Sequence, residues 1–120
     1  TVAFVVQGPR RSVLHLPDLD AWRRGPAMVE EMVRDVDVAY LDGTFFDEGE
    51  LLGRDPDDVP HPTIAATLAH LRRLPDEVRA RVRFTHLNHT NPAIIPGGQA
   101  ALAIESAGCA VAREGERVRL

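Results

Sequence analysis

A single cysteine, Cys109, rules out a disulfide within the chain. It sits in the apolar run GCAVA and reads as a buried strand residue, and a lone thiol fits a reducing, cytoplasmic setting. No apolar run approaches the roughly 20 residues that span a bilayer. Positive charge is not in excess: 14 Lys and Arg stand against 18 Asp and Glu, a net charge of −4. Nucleic acids and anionic membranes need a positive field, so neither is expected as the main partner. Several catalytic signatures are also missing. The chain has no HExxH, no His-x-His pair, no glycine-rich phosphate loop, no GxSxG and no CxxC. It has no internal repeat and no linker, so residues 1–120 read as a single unit. That length can bury a core, and 44% hydrophobic content argues against disorder. The chain opens directly on the apolar run TVAFVVQ, and the expectation is that residues precede Thr1 in the complete protein.

What is present alternates between strands and helices. Thr1–Gln7 reads as a strand, Gly8-Pro9-Arg10 as a turn, and Ser12–Leu16 as a second strand closed by Pro17. Pro26–Val33 reads as a short helix with proline at its start, Met28 and Met32 one turn apart, and Glu30 and Glu31 outward. Val36–Leu41 reads as a buried strand. Phe45 to Pro62 is a long acidic loop, and such loops tend to be functional or mobile. Thr63–Leu74 is the strongest helix, capped by Thr63, with Ile64, Leu68 and Leu71 on one face and Arg72 and Arg73 at its negative end. Pro75–Ala80 adds a turn and Arg81–Thr85 a strand. Gly98–Ala107 is an alanine-rich helix stopped by Gly108. Cys109–Ala112 and Arg117–Leu120 are expected to form a terminal hairpin. The pattern predicts an α/β fold with helices packed on one face of a sheet.

Three polar segments, LPDLD, DGTFF and FTHLNHTNP, each follow a predicted strand. Strands of one polarity would bring them to one sheet edge, where sites are commonly built. Asp18, in a proline turn past a strand, suits a cation; an aspartate there also satisfies local N–H groups. Asp20 leads into Ala21 and reads as a cap. Asp42 ends a strand, where a buried carboxylate either orients a ligating imidazole or bonds its own turn. His86 follows a strand directly and is a candidate metal ligand. Asn88 and Asn91 can donate and accept, which suits substrate orientation. His89 and Thr90 suit proton transfer or substrate contact. The plainer reading of this segment is an asparagine-rich turn before Pro92. His61, in PHPT, stands at the start of the strongest helix and is either a site residue or a helix flank. His15 reads as facing away from the core, His70 as exposed, and Asp47, Glu48, Glu50, Asp55, Asp57 and Asp58 as a solvated run. One His and one Asp make only part of a catalytic zinc site, which usually takes three protein ligands.

The stretches LHLPDLD, YLDGTFFDEGEL, PHPTI and FTHLNHTNP occur in this order in one known family. The chain resembles the C-terminal half of metallo-β-lactamase-fold proteins related to pyrroloquinoline-quinone (PQQ) biosynthesis protein B, and the resemblance covers nearly its whole length. It implies a four-layer αββα sandwich with a metal site at one edge, of which this chain is mostly one half: a mixed sheet with helices on one face. It implies that Asp18 is the bridging metal ligand and His86 the final one. Asn88, Thr90 and Asn91 would shape the pocket, and His61 would overlook it, with His89 or His61 handling a proton. The family's first-half cluster, His-x-His-x-Asp-His, is absent here, so the partner implied is the N-terminal half of the same domain or another chain. Members of the quinone pathway usually carry Asn where this sequence has His89, which favours a general metallo-hydrolase acting on a small-molecule substrate. The metal implied is zinc first, with iron or manganese as alternatives. The rival activities are oxidative chemistry on a tyrosine-derived precursor, a nuclease of the same superfamily, and a non-catalytic interaction protein that keeps the fold without metal.

Overall fold

The structure, a computed structural model, describes residues 2–20, 22 and 25–120. Its frame is a five-stranded sheet in the order β1-β2-β3-β4-β5: β1 (Phe4–Gln7), β2 (Ser12–Leu16), β3 (Val38–Asp42), β4 (Val82–Thr85) and β5 (Ala110–Val111). β1 and β2 form the expected antiparallel hairpin, while β2, β3, β4 and β5 run parallel. Parallel neighbours need crossovers. These are α1 (Pro26–Arg34) between β2 and β3, α2 (Ile64–Leu71) and α3 (Asp76–Arg79) between β3 and β4, and α4 (Gln99–Ser106) between β4 and β5.

Strand alternation assigns the two faces. Leu14, Ala39 and Val82 share one register row, and Leu16, Leu41, Phe84 and Val111 the next. All are buried in one core with Val29 and Val33 of α1, Ile64 and Leu71 of α2, Val78 of α3, and Ala100 and Ile104 of α4. The helices therefore cover one face. The other parity carries His15, Tyr40 and Arg83, of which His15 is exposed. No helix of the described residues is long and apolar enough to cross a membrane.

Several expectations shift. Thr1 of the first strand and the Ala21 that Asp20 would cap lead-in lie outside the described residues. In α1 the inward pair is Val29 and Val33, while Met28 is 52% exposed. The long loop is not structureless: 3₁₀ turns at Glu48–Leu51 and Pro56–Asp58 are each opened by an aspartate, Asp47 and Asp55, whose side chain accepts from the backbone two residues on. Glu50 is not a solvated charge, since its carboxylate accepts from Phe46 N and Thr90 Oγ1. His70 is half-buried and stacks on Trp22, ring centroids 4.5 Å apart. Arg117–Leu120 forms no strand. The tail is drawn instead to the sheet, because Glu116 accepts from Tyr40 Oη at 2.6 Å and Arg83 at 3.2 Å. Cys109 is buried just ahead of β5, and burial pushes its thiol up to about 11.

Candidate metal centre at the ends of the parallel strands

Parallel pairing of β2, β3 and β4 gives their C-terminal ends one direction. Asp18 follows β2, Asp42 is the last residue of β3, and His86 follows β4. His61 reaches the same place from the loop that ends at the Thr63 cap of α2. The start of α2 is fixed by a bridge between Phe45 and Thr63 and by Ile64 N donating to Phe45 O at 2.8 Å.

Asp42 is fully buried and central to the arrangement. Its Oδ2 accepts from Leu19 N at 3.0 Å and faces His61 Nδ1 at 2.7 Å. Its Oδ1 accepts from Thr44 N at 2.9 Å and Thr44 Oγ1 at 2.6 Å. An ionised carboxylate offers about four lone-pair sites, and four donors use them. A buried charge is tolerated only when so satisfied. Asp18 is different: its side chain is 60% exposed, and its Oδ1 lies 3.5 Å from His61 Nδ1. The rings of His61 and His86 are 5.9 Å apart, and Thr44 Oγ1 lies 3.2 Å from Nδ1 of the first and 3.3 Å from Nδ1 of the second. His86 itself is exposed and holds a left-handed backbone, φ 60°. Strain of that kind persists only where surroundings impose it.

The turn between Asp42 and Thr44 must be glycine. A Cβ on Gly43 would lie 2.9 Å from Thr85 O and 3.0 Å from Phe84 Cβ, while Gly43 N donates to Thr85 O at 2.8 Å. β3 and β4 thus stay in contact past their last paired residues, which keeps Asp42 and His86 together.

Among the described residues, Asp42, His61 and His86 are the group that could hold a cation, with one ligand atom from each lying within 4.8 Å of the others. The donor chemistry, carboxylates and imidazoles, suits a divalent metal such as zinc, iron or manganese. Asp42, with all four acceptor positions in use, is better matched to orienting His61 than to coordinating. The open donors are a ring nitrogen of His86 and Nε2 of His61, while the exposed carboxylate of Asp18, expected as the bridging ligand, lies outside this group.

The rest of the FTHLNHTNP segment serves the loop itself. Asn91 is 2% exposed; its amide donates to Gly43 O at 2.7 Å and its Oδ1 accepts from Ala93 N at 2.9 Å. A direct substrate contact through Asn91 is therefore replaced by a tie between two strand-end loops. Asn88 donates to Thr90 Oγ1 at 2.7 Å, and Thr90 in turn donates to Glu50 Oε2 at 3.1 Å. His89 is exposed and lies outside the cation-holding group. Sequence reasoning assigned Thr44 no role. The signal was available in the Asp-Gly-Thr spacing, since an aspartate commonly accepts from the N–H two residues on. A cavity of about 260 Å³ adjoins the site, lined by His61, Leu19, Trp22, Leu51, Val59 and His70 among others.

A family model described as the beta-lactamase superfamily domain matches residues 1–87. No curated protein matches the sequence. Among solved structures, the 1.98 Å crystal structure of Zn(2+)-bound PqqB from Methylobacterium extorquens is similar, with a TM-score of 0.79 at 17% identity. The match covers 98% of this chain and 43% of that one, so the chain spans less than half the length of that protein. The fold is an α/β fold of the metallo-β-lactamase type, with a mixed sheet.

Proposed function

The chain belongs to the beta-lactamase superfamily, and from that premise we propose that it is the C-terminal part of a metal-dependent hydrolase. The observation that carries the reading is the convergence of Asp18, His61 and His86 around the buried Asp42 at one sheet edge. In this reading His86 and Asp18 hold the metal. Zinc is the first choice, supported by the zinc-bound structural relative, with iron or manganese as alternatives. A third protein ligand, which catalytic zinc usually takes, comes from the N-terminal half of the domain or a partner chain. When bound, the cation acidifies a water toward a pKa of about 7 and polarises the substrate. His61, steered by Asp42, gives or takes the proton at the substrate's reacting oxygen. His89 and the Asn88–Thr90 pair line the approach for a small-molecule substrate, with the cavity beside His61 receiving part of it. A cytoplasmic location fits the unpaired Cys109.

The test is metal analysis of the protein with its upstream residues, with turnover of ester, amide and phosphodiester substrates. One equivalent or more of metal is expected, and Asp18→Ala or His86→Ala should lower both metal content and turnover by at least tenfold. Protein that holds no stoichiometric metal, with turnover unaffected by either change, would leave a non-catalytic interaction role. A second reading, oxidative chemistry on a tyrosine-derived precursor, draws on the fold shared with PqqB. Oxygen-dependent turnover of such a precursor, without hydrolysis, would favour it.

A further inference from the structure

Resting on the metal-site reading above, we propose that Thr44 is a positioning residue that fixes the tautomer of His86 and leaves its Nε2 lone pair free for the metal. Thr44 is itself nearly buried. Its hydroxyl meets three groups: Asp42 Oδ1 at 2.6 Å, His61 Nδ1 at 3.2 Å and His86 Nδ1 at 3.3 Å. A hydroxyl has one proton to give. The contact with Asp42 is much the shortest and falls within the 2.5–2.7 Å range of an O–H donating to a carboxylate, so the proton goes there. Toward the two rings, Thr44 Oγ1 can then only accept.

The consequence for His86 is specific. Its Nδ1 can bond Thr44 only as N–H, and a neutral imidazole protonated at Nδ1 carries its lone pair on Nε2. Histidine free in water favours the opposite form. His61 reaches the same tautomer by another route, because its Nδ1 donates to Asp42 Oδ2 at 2.7 Å. Asp42 thus orders both rings, one directly and one through Thr44. The backbone holds the same alignment, since Asn88 N donates to Thr44 O at 3.0 Å and ties the chain after His86 to Thr44.

The experiment is long-range ¹H–¹⁵N correlation of the histidine side chains in metal-free protein at alkaline pH, where neutral tautomers are read directly. His86 is expected as Nδ1–H in the wild type and in Thr44→Ser. In Thr44→Val, which keeps the shape and removes the hydroxyl, His86 should move to the Nε2–H form while His61 stays Nδ1–H. Zinc affinity, measured by chelator competition, should fall about tenfold in Thr44→Val and recover in Thr44→Ser, as for other groups that orient a ligating histidine. An Nε2–H tautomer at His86 in the wild type overturns the proposal, and so does an unchanged tautomer in a folded Thr44→Val. If Thr44→Val does not fold, the wild-type tautomer still decides. Protein that binds no zinc would sink the hydrolase reading and leave the tautomer result standing.

Discussion

Four hydrogen atoms point at the carboxylate of Asp42, from Leu19 N, Thr44 N, Thr44 Oγ1 and His61 Nδ1. An amide in its place offers one oxygen and an NH₂ group, so Asp42→Asn sets donors against donors around a fully buried side chain. Breaking a buried, charge-assisted set of this kind costs about 3 kcal/mol. Urea unfolding at neutral pH should show that loss; a change under about 1 kcal/mol would mean that the four contacts are not all made in solution. A second residue-scale effect lies in the same strand, on the face of the sheet away from the helices. Tyr40 is pushed up to about 12, first by burial and then by its hydrogen bond to Glu116 and the charge of Glu116. The neutral phenol is therefore favoured by folding. The corresponding stability is fully present below about pH 10, the unfolded value, and is lost as pH rises toward 12. Tyr40 is the chain's single tyrosine, so absorbance of tyrosinate near 295 nm reports this group alone. Glu116→Gln should lower the midpoint part of the way and leave the part due to burial.

At the scale of elements, α2 depends on its first turn. Thr63 Oγ1 accepts from Ala66 N at 3.1 Å, and the same turn places His61 two residues upstream. Thr63→Ala should cost about 1 kcal/mol by urea unfolding, with Thr63→Ser recovering most of it. This helix was legible in advance because cap and apolar face agreed: Ile64 and Leu71 are buried and Leu68 packs against the same core. In α1 the methionines were the more conspicuous pair, yet the helix turns its stiff β-branched residues Val29 and Val33 inward and leaves Met28 in solvent. Side chains at neighbouring positions share both possible faces in so short a helix, and only the sheet decides between them. The terminal hairpin failed for a non-local reason. Glu116 is claimed by Arg83 and Tyr40, 33 and 76 residues away in sequence. No local pattern encodes such a contact.

For the whole molecule, the meeting of three strand-end segments was legible, because alternating strands and helices imply parallel strands and parallel strands end together. The pairing of His61 with Asp42 was not, since His61 lies 19 positions further along the chain and their approach depends on the Phe45–Thr63 bridge. The same whole-molecule view shows an imbalance between the sheet's two sides. Helices close one face, whereas β1 bonds only to β2 and is exposed along its length: Phe4 60%, Val5 57% and Val6 47%, with Val2 at 65% just before it. An exposed apolar edge strand presents unpaired backbone groups and invites another chain to continue the sheet, and contiguous apolar surface adds to the attraction. The 120-residue chain on its own is therefore expected to self-associate, with a sedimentation coefficient that rises with concentration. Charges on that edge should suppress it, so Phe4→Lys combined with Val6→Lys is expected to sediment as a monomer. Leu102→Lys, which removes an exposed leucine from α4, should leave the association unchanged. Wild-type chain that sediments as a monomer at every concentration would show that β1 is adequately protected by its own twist and length. Association lost equally in the Leu102→Lys control would place the contact on the helical side instead.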